Sequence, residues 1–136
     1  MADLIDTDIV VYGIKSHEVV QRHFVESAHA PKAVPLITYG EILFGAKKSR
    51  TIEKNMAAVF RIGEILPVIE VTRSAISTFA ETKARLRKQG RTFFDFDLLI
   101  AATAQSINYV LPADNERRFR RVPGLRVENW TKRGSK

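Results

Sequence analysis

The sequence contains no cysteine, which excludes disulfides and thiolate-bound metal centres. Histidine is scarce. His17, His23 and His29 fall on or near one expected helix, without the HExxH spacing that sets two imidazoles on one metal, and are read as surface residues. No apolar run reaches the length of a membrane span. No charged, apolar and cleavage regions line up at the N-terminus as in a secretory signal. Internal repeats, low-complexity segments and interdomain linkers are also missing. These absences leave a soluble, cytoplasmic protein with no membrane contact as the expectation.

The 136 residues fit one domain large enough for a real core. It is expected to span residues 1–130, with 131–136 as a basic, solvated tail. Hydrophobic content is 45% and charged content 27%, the balance of a folded protein and not of a disordered one. Lys and Arg number 22 against 15 Asp and Glu, a net charge of +7. That excess suits a polyanionic partner, nucleic acid first among them, although an acidic protein would also satisfy it. The basic residues are unevenly placed: RKQGR and ERRFRR flank one apolar segment, and TKRGSK closes the chain.

The order of elements reads as alternating strands and helices. ADLID is a short strand, and TDIVVYGI continues it or turns into a helix. His17 to Ala28 is a helix with Val19, Val20, Phe24 and Val25 inward. AVPLI (33–37) is a strand, followed by a helix from Thr38 with Tyr39, Ile42, Leu43 and Ala46 at helical spacing. Ile52 to Ile65 is a helix with Met56, Val59, Phe60 and Gly63 on one side. LPVIEV (66–71) is a strand, and Arg73 to Lys88 a long amphipathic helix closed at Gly90. The apolar helix DLLIAATAQ follows, then strands NYVLPA (108–113) and LRVENW (125–130). This alternation predicts an α/β protein with a largely parallel sheet, whose ligands bind beyond the carboxyl ends of the strands.

Carboxylates recur at that edge. Asp6 ends the first strand, Glu41 lies in the first turns of the helix after the second, Asp97 opens the apolar helix, and Asp114 follows the strand NYVLPA. Each has a bland alternative. Asp6 and Asp8 could cap a helix, Glu41 could be a solvated helix residue, and Asp114 before Asn115 could be a turn residue. In FDFD, either Asp95 or Asp97 could cap the helix or favour the positive end of its dipole. Together, however, the acids point to one site. Crowded carboxylates repel, and a hard divalent cation removes the conflict. Oxygen ligands without Cys favour Mg²⁺ or Mn²⁺ over Zn²⁺. An acidic metal site on a basic protein fits metal-assisted phosphodiester hydrolysis.

Four blocks, LIDTDIVVY, LITYGEILFGAKKS, FDFDLLIAATAQ and RRFRRVPGLRVENW, carry a resemblance over nearly the whole chain. They resemble the PIN-domain ribonucleases, specifically the VapC toxins of bacterial toxin–antitoxin pairs. The resemblance implies a three-layer α/β/α sandwich, Mg²⁺-dependent endoribonuclease activity with Mn²⁺ as a substitute ion, an RNA substrate, a VapB-type antitoxin and a homodimer. By position it makes Asp6, Glu41 and Asp97 the first, second and third acids. Asp114 falls at a looser fourth position, and all four become catalytic candidates, with Asp6 and Asp97 as the principal metal ligands. Thr7 matches a polar residue beside the first acid. Asp95 is assigned to the helix cap, and it and Asn115 are supporting candidates. Two departures stand out: Asp8 where Asn is commoner, and Thr103 where many members have His. The rival readings are a nucleic-acid-binding module of the same fold without cleavage, and a DNase of similar fold.

Overall fold

The computed structural model describes residues 2–114 and 116–132. Asn115 and residues 133–136 of the expected tail lie outside them. Five short strands alternate with helices: β1 (Asp3–Leu4), α1 (Thr7–Ile14), α2 (Glu18–Glu26), β2 (Lys32–Pro35), α3 (Leu36–Lys47), α4 (Ile52–Ile65), β3 (Val68–Ile69), α5 (Arg73–Lys88), α6 (Asp95–Ser106), β4 (Leu111–Ala113), α7 (Glu116–Arg120) and β5 (Val127–Asn129). β2 pairs in parallel with β1 and β3, and β4 pairs in parallel with β5. A parallel bridge from Asp3 to Val110 and the 2.8 Å bond from Leu4 N–H to the Val110 carbonyl join the two ribbons beside β1. The order across the sheet is therefore β3-β2-β1-β4-β5. The chain reverses direction across the sheet at β1, and open parallel sheets bind ligands at such a switch point.

Alternation along the strands sorts the core into two layers. Leu4 and Ala33 face a cluster with Leu86 of α5, Leu98, Ile100, Ala101 and Ala104 of α6, and Phe119 of α7. Ile5 and Val34 face the opposite cluster, with Ile9, Val10, Val20, Ile42, Val59 and Trp130. Helices thus cover both faces of the sheet, giving the α/β/α sandwich. α5 ends in a two-bond motif: Arg91 N–H donates to the Leu86 carbonyl and Gly90 N–H to that of Arg87, both at 2.9 Å. Gly90 sits at φ +72°, a conformation that favours glycine, and the motif satisfies the last carbonyls before the chain turns into the 91–94 loop.

Of the two readings open for TDIVVYGI the helix holds, because Ile9 and Val10 bury one side of a two-turn helix. Several other expectations change. Val25 is 74% exposed and Phe60 53%, so neither faces the core expected of it. His17 and His23 are not surface residues. His17 caps α2, its Nδ1 accepting from Val20 N–H at 3.3 Å, and His23 stacks on Trp130 with ring centroids 5.1 Å apart. Thr131, the first residue of the expected tail, is tied to the domain, its Oγ1 lying 3.0 Å from Asp114 Oδ1 and 3.0 Å from Asn129 Oδ1. Helix α7 was read as a basic flank: ERRFRR offers Phe119 as its sole apolar anchor, too little for a periodic signal.

Candidate active site

β1 is short because the sheet's job ends at Ile5. The next residue, Asp6, occupies the N-cap position of α1, yet its side chain makes no capping bond. Its carboxylate turns instead into the sandwich and is 1% exposed. Arg118 of α7 meets it: guanidinium Nη2 donates to Asp6 Oδ2 at 2.9 Å. The same Nη2 lies 3.8 Å from Asp8 Oδ2, and Nε lies 3.6 Å from Asp97 Oδ2. One arginine therefore stands among three carboxylates from α1 and α6. It is tethered there by Phe119, the fully buried neighbour over whose ring its guanidinium sits at 4.7 Å. The fit is incomplete, because buried Nε has no hydrogen-bond partner among the described residues, and 3.6 Å is too long for one.

Glu41 approaches from the opposite helix. It accepts from Thr7 Oγ1 at 2.5 Å, and Thr7 Oγ1 also lies 3.0 Å from Thr38 Oγ1, which is buried on α3. This Thr7 bridge fixes α1 to α3 and aims Glu41 at Asp97, whose carboxyl its charge pushes up. Asp114 lies at the edge of the group. Tyr12 Oη donates to its Oδ2 at 3.3 Å and Thr131 to its Oδ1. The Tyr12 phenol is pushed up first by Asp114, then by burial, and last by Asp8, so the two acids face one hydroxyl.

Burial dominates the electrostatics at the centre. It pushes Asp6 up from 3.8 to about 7, with Arg118 opposing and Asp8 and Asp97 adding to the rise. Asp97 is likewise raised by burial, against Arg118, with Glu41 and Asp8 adding repulsion. A single guanidinium does not neutralise this group. The donors are all carboxylate oxygens, so the set fits a hard divalent cation. Among the described residues no three acidic or imidazole groups already converge as chelating ligands. Arg118 stands where such an ion would relieve the repulsion, and is the group it would displace.

Asp95 does not cap α6. The N-cap is Phe94, with no side-chain capping bond, and Asp95 pairs across the surface with Lys83 of α5 at 3.0 Å. Both partners are well exposed, so Asp95→Ala should lower stability by at most about 1 kcal/mol in thermal melts, and should leave the acidic centre unaltered. The pair at 95 and 97 divides, with Asp97 turned to the acids and Asp95 outward.

The structure thus brings Asp6, Glu41 and Asp97 together with Thr7, puts Asp114 at their edge, and adds two residues that sequence reading did not place there. Asp8 stands out in the sequence as a candidate helix cap and as a departure from a pattern, not as a member of the acidic site. Arg118 was one of several arginines in ERRFRR, and nothing in that run distinguished it.

The PIN-domain sequence pattern matches residues 4–125. The chain belongs to the PIN-domain family. Among PIN-domain proteins its relatives are VapC proteins. It is 36% identical over 129 residues to ribonuclease VapC2 of Haemophilus influenzae, an alignment covering 93% of this chain and 96% of that one. It is 30% identical over 128 residues to the tRNA(fMet)-specific endonuclease VapC of Shigella flexneri, covering 94% and 97%. The fold superposes with a TM-score of 0.88 and 27% identity on VapBC2 of Rickettsia felis, solved bound to a DNA fragment from its promoter, covering 96% of this chain and 99% of that one. The PIN-domain match includes Asp6, Glu41, Asp97, Asp114 and Arg118.

Proposed function

We propose that the protein is a divalent-metal-dependent endoribonuclease, the toxin of a toxin–antitoxin pair. The observation that carries this reading is the convergence of Asp6 and Asp97, both raised by burial, on a single cation at the carboxyl end of β1. A phosphate-binding module gains nothing from a buried acidic centre, which repels its ligand. Asp6 and Asp97 are the residues to hold Mg²⁺, with Mn²⁺ as substitute. A bound ion supplies activation of the attacking water and offsets charge on the phosphoryl group. Glu41, held by Thr7, would help to position that water. Asp8 adds negative charge beside Asp6, Asp114 completes the outer edge, and Asn115 is a supporting candidate. Arg118, released from Asp6, faces the phosphate backbone of the RNA.

The partner reading rests on the solved VapBC complexes that share the fold and on an apolar groove of about 400 Å³. It is lined by Val10, Ile14, Phe24, Ile62, Ile65 and Leu66. A VapB-type antitoxin would fill such a groove with a helix or an extended stretch, the toxin itself being a homodimer. Purified protein should cleave RNA with Mg²⁺, spare matched DNA, and stop in EDTA. In cells, expression alone should slow growth, and an adjoining antitoxin reading frame should restore it. Cleavage unaffected by EDTA overturns the metal mechanism. Equal harmlessness of wild type and Asp6→Ala at matched soluble levels overturns the toxin reading.

A further inference from the structure

Beside the acids lies a cleft of about 430 Å³, lined by Thr92, Phe93, Phe94, Asp97, Arg118 and Arg121. Phe94 is its outer wall and is 80% exposed, more than any other large apolar residue described. It is also the N-cap of α6 without a capping bond, at a position where Ser, Thr, Asp or Asn would be worth about 1 kcal/mol more to the helix. Local folding therefore gains nothing from a phenyl ring here, either by burial or by capping. Phe94 also lines a second cleft, of about 330 Å³, with Lys83, Arg87, Arg91 and Asp95. The ring thus borders two clefts that carry arginines, and one of them contains Asp97.

We propose that Phe94 is a stacking platform for an unpaired nucleobase of the RNA, next to the phosphate that is cut. This rests on the ribonuclease reading of the acidic site and names how that site holds its substrate. Bases of single-stranded RNA stack on exposed aromatic rings while arginines follow the backbone. The cleft offers both. Arg121, over the Phe93 ring at 5.4 Å, and Arg118 line the cleft that Phe94 shares with Asp97, and Arg87 and Arg91 line the other. Duplex RNA buries its bases and cannot use the ring, so the platform selects an unpaired stretch at the point of cleavage. A second copy of the chain is a poor occupant. Across a two-fold axis it would set this arginine-rich rim against itself.

The test is fluorescence anisotropy in EDTA, so that cleavage is silent, with a short single-stranded RNA of mixed sequence and with bulk tRNA. Phe94→Ala should weaken binding about 5- to 150-fold, the equivalent of one lost base stack, and Phe94→Trp should retain it. A scan of abasic nucleotides along the short RNA supplies the decisive arm. At one position the abasic loss and the Phe94→Ala loss should fail to add, because both remove the same stack. The same comparison in Mg²⁺ should appear as a raised KM for Phe94→Ala. Unchanged binding and KM in Phe94→Ala, or additive losses at every abasic position, would overturn the platform while leaving the ribonuclease reading intact. So would a shift from dimer to monomer in sedimentation of Phe94→Ala, which would assign the ring to a second copy. Wild type that neither binds nor cleaves RNA with metal would overturn the ribonuclease reading, and the platform with it.

Discussion

Asp97→Asn should lower RNA cleavage by orders of magnitude and leave the protein folded. The substitution keeps the size of the side chain and its place in the first turn of α6, where the next residue, Leu98, is fully buried in the core. What it removes is one of the negative charges gathered around Arg118, and with it one of the two carboxylates proposed to hold the metal. Folding does not depend on that charge. The Asp97 carboxyl is raised above its ordinary value by burial and by the charges of Glu41 and Asp8, so the metal-free protein is easier to fold with a neutral group there. Melts without metal should therefore match or exceed wild type, while Mn²⁺ titration calorimetry should show a large loss of affinity. Full activity of Asp97→Asn, or unaltered Mn²⁺ binding, would remove Asp97 from the site.

Much of this arrangement is legible in the sequence, for identifiable reasons. α5 declares itself because a sixteen-residue amphipathic helix repeats its pattern several times and its stop signal at Gly90 agrees, and α6 because its twelve residues carry an apolar run too long for the short strands of this fold. The strands are read correctly in place but too long: β1 and β3 are two residues each, since flanking residues that look strand-like belong to turns or to the next helix. Asp6, Glu41 and Asp97 were found because a parallel sheet makes strand ends meet. The division between Asp95 and Asp97 was half legible. Phase on α6 turns Asp97 inward beside Leu98 and Asp95 outward to Lys83, but the cap fell to Phe94, which no capping preference predicts. Arg118 could not be singled out. Its role comes from the depth of Asp6 and from Phe119 anchoring a five-residue helix, and both are long-range facts. Val25 and Phe60 were misplaced because a helical stripe shows which residues share a side, not how far the neighbouring layer extends.

The metal-free protein should become less stable as pH rises from 4 towards 8, and Asp6→Asn should remove much of that slope. Asp6 carries a folded value of about 7 against 3.8 for an ordinary carboxyl. The folded state therefore binds a proton that the unfolded chain releases. The contribution is fully present below the unfolded value. It is lost progressively as pH climbs from about 3.8 to about 7 and has gone above that. A displacement of this size amounts to a few kcal/mol. Buried Asp3 and half-buried Asp97 are also raised and add to it with the same sign, while Glu116, lowered by Arg120 and Lys132 despite some desolvation, opposes it weakly at the surface. Arg118 sets how large the Asp6 effect is. It is the principal group holding the carboxylate down, so Arg118→Ala should raise Asp6 further and steepen the loss of stability at neutral pH. In the double variant with Asp6→Asn that extra loss should disappear, because the neutral amide does not need the guanidinium. Divalent metal should flatten the slope in wild type by taking over the same role. Urea melts of the four proteins at pH 5 and pH 8, in EDTA, read all of this. A wild-type stability that rises between those two values would show that Asp6 is ionised throughout, and that its burial is compensated by more than Arg118.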